Sequence, residues 1–123
     1  MVRAMTSTSE TPDQFFDRYA AALLARNERA IAEMYAVPSL ILFPGRSIAV
    51  TDARQTEEFF ASAWGQYEGV DAIDRKVVVM AEAPGTLWAD VTWFHDGRAQ
   101  EHFCYQLVEG PDGYQIAVLT LMA

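Results

Sequence analysis

The sequence predicts an α+β domain in which three N-terminal helices pack inside a strongly curved sheet, mixed but mainly antiparallel, that forms a cone-shaped barrel. Apolar residues recur at helical spacing in the first half of the chain. From Asp71 onward the spacing becomes that of strands, and short turn sequences divide this half into four segments. At 123 residues the chain has the usual size of a single domain with one core.

The first helix is predicted to begin at Thr11-Pro12-Asp13-Gln14. This signal offers a threonine N-cap, a proline at the first helical position and a glutamine that closes a capping box. The helix ends near Arg26 or Asn27, after an apolar stripe formed by Phe16, Tyr19, Ala20 and Leu23. Residues 1–10 are small, polar and unpatterned, so we expect a disordered lead-in followed by one domain over residues 11–123.

Two further helices and two short strands follow. A short helix is predicted over residues 28–35, and Val37-Pro38 stops it because the residue before a proline avoids the α region. Residues 39–43 and 47–50 are predicted strands joined by a turn. Thr51 or Asp52 then caps a third helix with one apolar face, made of Phe59, Phe60, Ala63, Trp64 and Tyr67.

The second half predicts a four-stranded antiparallel meander over residues 73–82, 86–95, 98–108 and 114–122. Asp96-Gly97 is its strongest turn signal, because both central residues of a type I′ turn need positive φ. Both faces of the last strands are rich in apolar residues. One face therefore wraps the helices, and the other needs a cover. A homodimer formed through the outer sheet face is the cover that we expect.

Composition and charge exclude several classes of function. The 17 acidic and 9 basic residues give a formal charge of −8, which repels a phosphate backbone, so we expect no nucleic-acid binding. No apolar run approaches the roughly 18 residues of a membrane span. The single cysteine cannot form an internal disulfide, and residues 1–10 lack the apolar region of a signal peptide, so a cytoplasmic protein is expected. We find no converging metal ligands and expect no cofactor.

The order of elements resembles the nuclear transport factor 2-like superfamily, which includes SnoaL-like polyketide cyclases and ketosteroid isomerase. The resemblance covers about residues 12–122. It rests on Arg18-Tyr19-x3-Leu23, Ile31-x3-Tyr35, the strand with Pro44, Phe59-Phe60 and Glu101-His102-Phe103. It implies a cone with an internal pocket, a scaffold that serves enzymes and non-enzymes alike.

Ketosteroid isomerase implies specific roles for three positions. In that enzyme a helix-1 tyrosine and a protonated aspartate on a late strand donate hydrogen bonds to an enolate, and a strand-1 aspartate moves the proton. The resemblance places the tyrosine at Tyr19 and the late-strand acid at Glu101. The general base falls at Phe43, and a phenyl ring cannot take a proton.

Counting outward from the Asp96-Gly97 turn predicts which strand residues share the inner face. This register pairs Thr92 with Glu101, Asp90 with Phe103 and Trp88 with Tyr105. Two neighbouring carboxyls in a pocket can divide into an acid and a base, so Tyr19, Asp90 and Glu101 are the predicted catalytic residues. A bulge would instead turn Asp90 to solvent. The predicted ligand-binding residues are Phe43, Trp64, Trp88, Thr92, Phe94, Phe103, Tyr105 and Val118.

The sequence thus predicts a SnoaL-like domain whose apolar, aromatic-lined pocket takes a small hydrophobic molecule. The enzymatic interpretation is isomerisation, cyclisation or dehydration by acid/base chemistry without a cofactor. The alternative is a non-catalytic dimerisation or protein-interaction module whose cone is filled by its own side chains. Cavity volume separates the two, since roughly 300 Å³ or more favours ligand binding.

Overall fold

The computed structural model describes residues 10–122, which form three α-helices and six strands. The helices are α1 Pro12–Leu24, α2 Glu28–Glu33 and α3 Ala53–Ala61, and a 3₁₀ helix spans Trp64–Tyr67. The strands are β1 Tyr35–Phe43, β2 Arg46–Val50, β3 Ile73–Ala83, β4 Thr86–His95, β5 Arg98–Gly110 and β6 Gly113–Leu121. The predicted lead-in lies outside the described residues except for Glu10.

Capping boxes begin α1 and α3. Thr11 Oγ1 accepts from the Gln14 amide at 3.1 Å, and Gln14 Oε1 accepts from the Thr11 amide at 2.9 Å. Asp52 and Gln55 repeat this exchange, with both distances 3.1 Å. Each box satisfies amides that the first helical turn leaves without partners. Both predicted helix starts are therefore confirmed.

The middle of the chain contains less helix than predicted. The second helix ends at Glu33, because the carbonyl of Met34 accepts from the Ile116 amide at 2.8 Å and Tyr35 already pairs with β6. Sheet pairing thus overrides the helical spacing there. The third predicted helix is divided, since α3 ends at Ala61 and the chain continues into the 3₁₀ helix.

The six strands form one mixed sheet in the order β2-β1-β6-β5-β4-β3. Only the β1–β6 pair among them is parallel. Asp96 and Gly97 have φ angles of 51° and 86°, as a type I′ turn between β4 and β5 requires. The helices pack in this curved sheet, which confirms the predicted α+β class.

A bulge in β5 changes the expected register with β4. His95 pairs with Arg98 as predicted, but Glu101 pairs with Trp93, and Gln100 is left without a partner. An extra residue in one strand moves every following side chain to the other face. The predicted pairs Thr92–Glu101, Asp90–Phe103 and Trp88–Tyr105 are therefore wrong.

The core lies between α1 and the inner face of the sheet. Fully or nearly fully buried side chains on the two sides are Phe15, Phe16, Tyr19, Leu87, Ala89, Val91, Trp93, Phe103, Tyr105 and Leu107. Arg75 of β3 links the sheet to α1, because its guanidinium donates to Asp17 Oδ1 at 2.6 Å and to the Asp13 carbonyl at 3.0 Å.

Within residues 10–122, no helix is long and apolar enough to cross a membrane.

Candidate functional site

A cavity of about 180 Å³ lies between the helices and the inner face of the sheet. Most of its lining is aromatic or aliphatic, and a few tyrosines, one glutamine and one glutamate bring polar atoms. The lining residues are Tyr19, Leu23, Phe43, Phe59, Phe60, Ala63, Gln66, Tyr67, Trp93, Glu101, Phe103, Tyr105 and Leu119. The site is thus a small, mainly apolar chamber with a few converging polar groups.

Some residues singled out from the sequence lie in this chamber. Tyr19 reaches it from α1, Phe43 from the end of β1, and Glu101, Phe103 and Tyr105 from β5. Their period of two agrees with a strand whose alternate side chains face one side. Whether they bind a ligand or act in catalysis stays a prediction.

The other predicted site residues lie elsewhere. Because of the bulge in β5, the alternate residues of β4 face the outer side of the sheet, namely Trp88, Asp90, Thr92 and Phe94. Val118 pairs with Gln106 and so faces outward too. Trp64 packs edge-on against Tyr67, and its Nε1 donates to Glu28 Oε1 at 3.0 Å. The cavity lining contains none of these six residues, so their predicted places in the pocket are wrong.

Asp90 is paired with a histidine on the outer face. Both its carboxylate oxygens lie 2.8 Å from His102 Nε2. Cys104 stands opposite Asp90 on β5, and burial, with the charge of Asp90, raises the pKa of the thiol. A thiol with a raised pKa is a poor nucleophile. The predicted pair of carboxyls inside the pocket does not form, because Asp90 and Glu101 lie on opposite faces of the sheet.

Glu101 is the acidic group of the cavity lining. Burial raises the pKa of its carboxyl. It has no hydrogen-bond or ion-pair partner among residues 10–122, and its charge raises the pKa values of Tyr35, Tyr67 and Tyr105. Burial thus disfavours the charged form of Glu101, and the protonated carboxyl can donate a hydrogen bond.

Buried hydroxyl groups surround the chamber. The hydroxyl oxygens of Tyr19 and Tyr35 lie 2.9 Å apart, and Trp93 Nε1 donates to the Tyr105 hydroxyl at 2.8 Å. Burial raises the pKa of all three tyrosines, so they are neutral donors. The Tyr105 proton has no acceptor within the described part of the chain. One hydroxyl proton of the Tyr19–Tyr35 pair also remains unused, because only one can lie between the two oxygens.

Arg26 holds the wall formed by the 3₁₀ helix. It lies between α1 and α2 with a φ of 52°, a conformation that is uncommon for a residue with a side chain. Its guanidinium donates to the carbonyls of Leu24 at 2.8 Å, of Tyr67, and of Val70 at 3.4 Å. The same group lies over the Tyr67 ring, 5.8 Å from its centroid. Arg26 thereby positions Tyr67 against the cavity.

The described residues contain no cluster of three or more His, Cys, Asp or Glu side chains that could hold a metal ion. The polar groups of the chamber are instead hydroxyls, one amide and one carboxyl. Such a set can orient a neutral ligand by hydrogen bonds to its acceptor atoms.

No family model matches the chain, and no curated protein matches it. Solved structures do match it. A putative calcium/calmodulin-dependent protein kinase type II association domain from Thiobacillus denitrificans is 16% identical, with a TM-score of 0.68 over 95% of this chain and 99% of that one. A similar domain from Xanthomonas campestris is 14% identical, with a TM-score of 0.63 over 93% and 90%.

A designed protein named Rd1NTF2_05 is 10% identical and gives a TM-score of 0.66 over 89% of this chain and 95% of that one. At such low identities the likeness concerns the fold. Three helices packed on a curved, six-stranded mixed sheet agree with it. The chain has the nuclear transport factor 2-like cone fold.

Proposed function

We propose that the chain binds a small, neutral and mainly apolar molecule that carries an acceptor oxygen. The observation that carries this proposal is an apolar chamber with unused hydroxyl donors in its wall. The Tyr105 hydroxyl accepts from Trp93, and its own proton has no acceptor among the described residues, so a carbonyl oxygen that accepts from Tyr105, or from Glu101 in its protonated form, adds a hydrogen bond worth about 0.5–1.5 kcal/mol. A hydrocarbon of the same shape adds none.

The size of the chamber supports a ligand of about one ring. Its volume of about 180 Å³ lies below the roughly 300 Å³ expected to favour ligand binding over a packed cone, so that criterion is not met and the proposal is limited to a small ligand. It exceeds the roughly 150 Å³ of an apolar cavity known to hold benzene. This size supports a one-ring ligand over a fused-ring one.

Binding is better supported than acid/base catalysis. Among the described residues Glu101 is the only carboxyl in the lining, Phe43 stands where the resemblance to ketosteroid isomerase places the base, and Asp90 faces outward. Isomerisation, cyclisation or dehydration would therefore require Glu101 to act as both acid and base. Tyr19 and Tyr105 would serve as hydrogen-bond donors in that case.

The ligand proposal predicts a preference for ketones over hydrocarbons. We expect acetophenone to bind roughly three- to tenfold more tightly than ethylbenzene, which has a similar shape, because one hydrogen bond contributes about 0.5–1.5 kcal/mol. The preference should shrink in Glu101→Leu and persist in the matched outer-face variant Asp90→Leu. Titrations followed by tryptophan fluorescence and NMR chemical shifts measure both affinities. Failure of both compounds to bind the wild type would contradict the proposal.

A second prediction concerns the charge of Glu101. Its pKa is raised in the folded state, so its stabilising effect is full below the unfolded pKa and is lost as the pH rises through the folded pKa. Glu101→Gln, a neutral isostere, should therefore unfold like the wild type near pH 4 and be more stable than it at pH 8. Urea denaturation across this range measures the difference. A wild type that gains stability over the variant with rising pH would reveal a partner for the carboxylate and contradict this account.

We also propose that the outer sheet face forms a homodimer. Leu40 and Val78 are 41% and 47% exposed there, and the face also carries Trp88 and Phe94. A second copy presents the same apolar surface, so a two-fold axis can cover both at once. Two of the similar structures are described as association domains, which agrees with this use of the fold. We propose a cytoplasmic location for this dimer, because reducing conditions keep the Cys104 thiol, which lies on this face, in its free form.

The dimer proposal predicts that one charge on the outer face separates the copies. Leu40→Lys should give a monomer in sedimentation velocity at tens of micromolar protein, whereas the wild type should sediment as a dimer. Val79→Lys is the matched control, since Val79 is 39% exposed but pairs with Ala89 on the inner side. A monomeric wild type, or dimers in all three proteins, would exclude this interface.

A further inference from the structure

Glu10, at the end of the predicted lead-in, accepts three hydrogen bonds from residues that the structure describes. Its Oε2 accepts from Arg18 Nε at 2.6 Å, and its Oε1 accepts from Arg18 Nη2 at 3.0 Å and from the Tyr114 amide at 2.9 Å. Its side chain is 13% exposed. Both carboxylate oxygens are thus bound, one of them by two donors from different elements.

The lack of a side chain at Gly113 leaves room for this carboxylate. A Cβ atom at position 113 would lie 2.6 Å from Glu10 Oε1, which is closer than a real contact allows, and 3.3 Å from Arg18 Nη2, which is a tight contact. The φ of Gly113 is 133°, a conformation that other residues rarely adopt. The turn between β5 and β6 is therefore shaped to leave room for an oxygen atom between its backbone and α1.

The charges around this site favour a tethered carboxylate over a free anion. Burial tends to raise the pKa of Glu10, but the hydrogen bonds from Arg18 and Tyr114 and the charge of Arg18 lower it overall. Glu33 and Asp112 line a small neighbouring cavity of about 50 Å³ together with Arg18, and their charges oppose a free anion. Glu10 binds despite this repulsion because it precedes the α1 cap by one residue, and its carboxylate therefore has a high effective concentration at the site.

We propose that Arg18, Gly113 and the Tyr114 amide form a carboxylate-binding site, which Glu10 occupies in cis and which accepts a small free carboxylate when the Glu10 side chain is removed. The site fastens the start of α1 to the turn between β5 and β6. Bidentate binding by arginine together with a backbone amide matches the planar carboxylate group, which has two acceptor oxygens. It lies apart from the ligand cavity and shares no lining residue with it.

Chemical rescue tests the proposal. The melting temperature of Glu10→Ala should rise by roughly 2–4 °C when sodium chloride is replaced by sodium acetate at equal ionic strength and pH 7. The wild type, whose site is filled, and the double variant Glu10→Ala/Arg18→Gln should show no such rise. An absent rise in Glu10→Ala, or an equal rise in all three proteins, would overturn the proposal.

Gly113→Ala provides an independent measurement that needs no added ligand. In the wild type the new methyl group meets the Glu10 carboxylate, whereas in Glu10→Ala that contact is absent and only the tight contact with Arg18 is left. The fall in melting temperature caused by Gly113→Ala should therefore be smaller in the Glu10→Ala background, where backbone strain and the Arg18 contact remain. Equal falls in both backgrounds would show that no carboxylate occupies the space beside residue 113.

Discussion

One unpaired residue in β5 determines which side chains of the sheet face the cavity. Gln100 has no partner on β4, and the strands resume their pairing at Trp93 and Glu101. Because side chains alternate along a strand, this insertion places Glu101, Phe103 and Tyr105 inside and leaves Asp90 outside with His102. The acid of the cavity, the part of its aromatic lining that β5 supplies and the Asp90–His102 pair of the outer face all depend on the same residue.

The polar groups of the chamber follow from how the aromatic residues are buried. Tyr19 is 3% and Tyr105 1% exposed, so each hydroxyl needs a partner inside the protein. Tyr35 and Trp93 supply those partners, but the two hydrogen bonds use only two of the four donor protons that these side chains carry. The unused hydroxyl protons give the wall hydrogen-bond donors beside the carboxyl of Glu101, whose pKa is raised by burial. This surplus distinguishes the chamber from a simple packing void, which has apolar walls.

Local signals in the sequence predict much of this fold, since caps and turns depend on few neighbours. The capping residues Thr11 and Asp52 and the Asp96-Gly97 turn lie where their chemistry places them. The inner face of β4 could not be derived this way, because Trp88 and Trp93 make both faces apolar and no residue marks the bulge. Tyr35 was missed as a partner of Tyr19 for a similar reason: its spacing fits a helix, and pairing with distant β6 makes it a strand residue.

The register of β4 and β5 is the feature on which the account depends, and NMR measures it directly. Nuclear Overhauser contacts between backbone protons of facing strands report which residues are opposite each other. The account predicts cross-strand contacts that place Trp93 opposite Glu101 and Thr92 opposite His102, with Gln100 outside the ladder. Contacts that place Thr92 opposite Glu101 and Asp90 opposite Phe103 would contradict it, because they would return Asp90 to the face of Glu101.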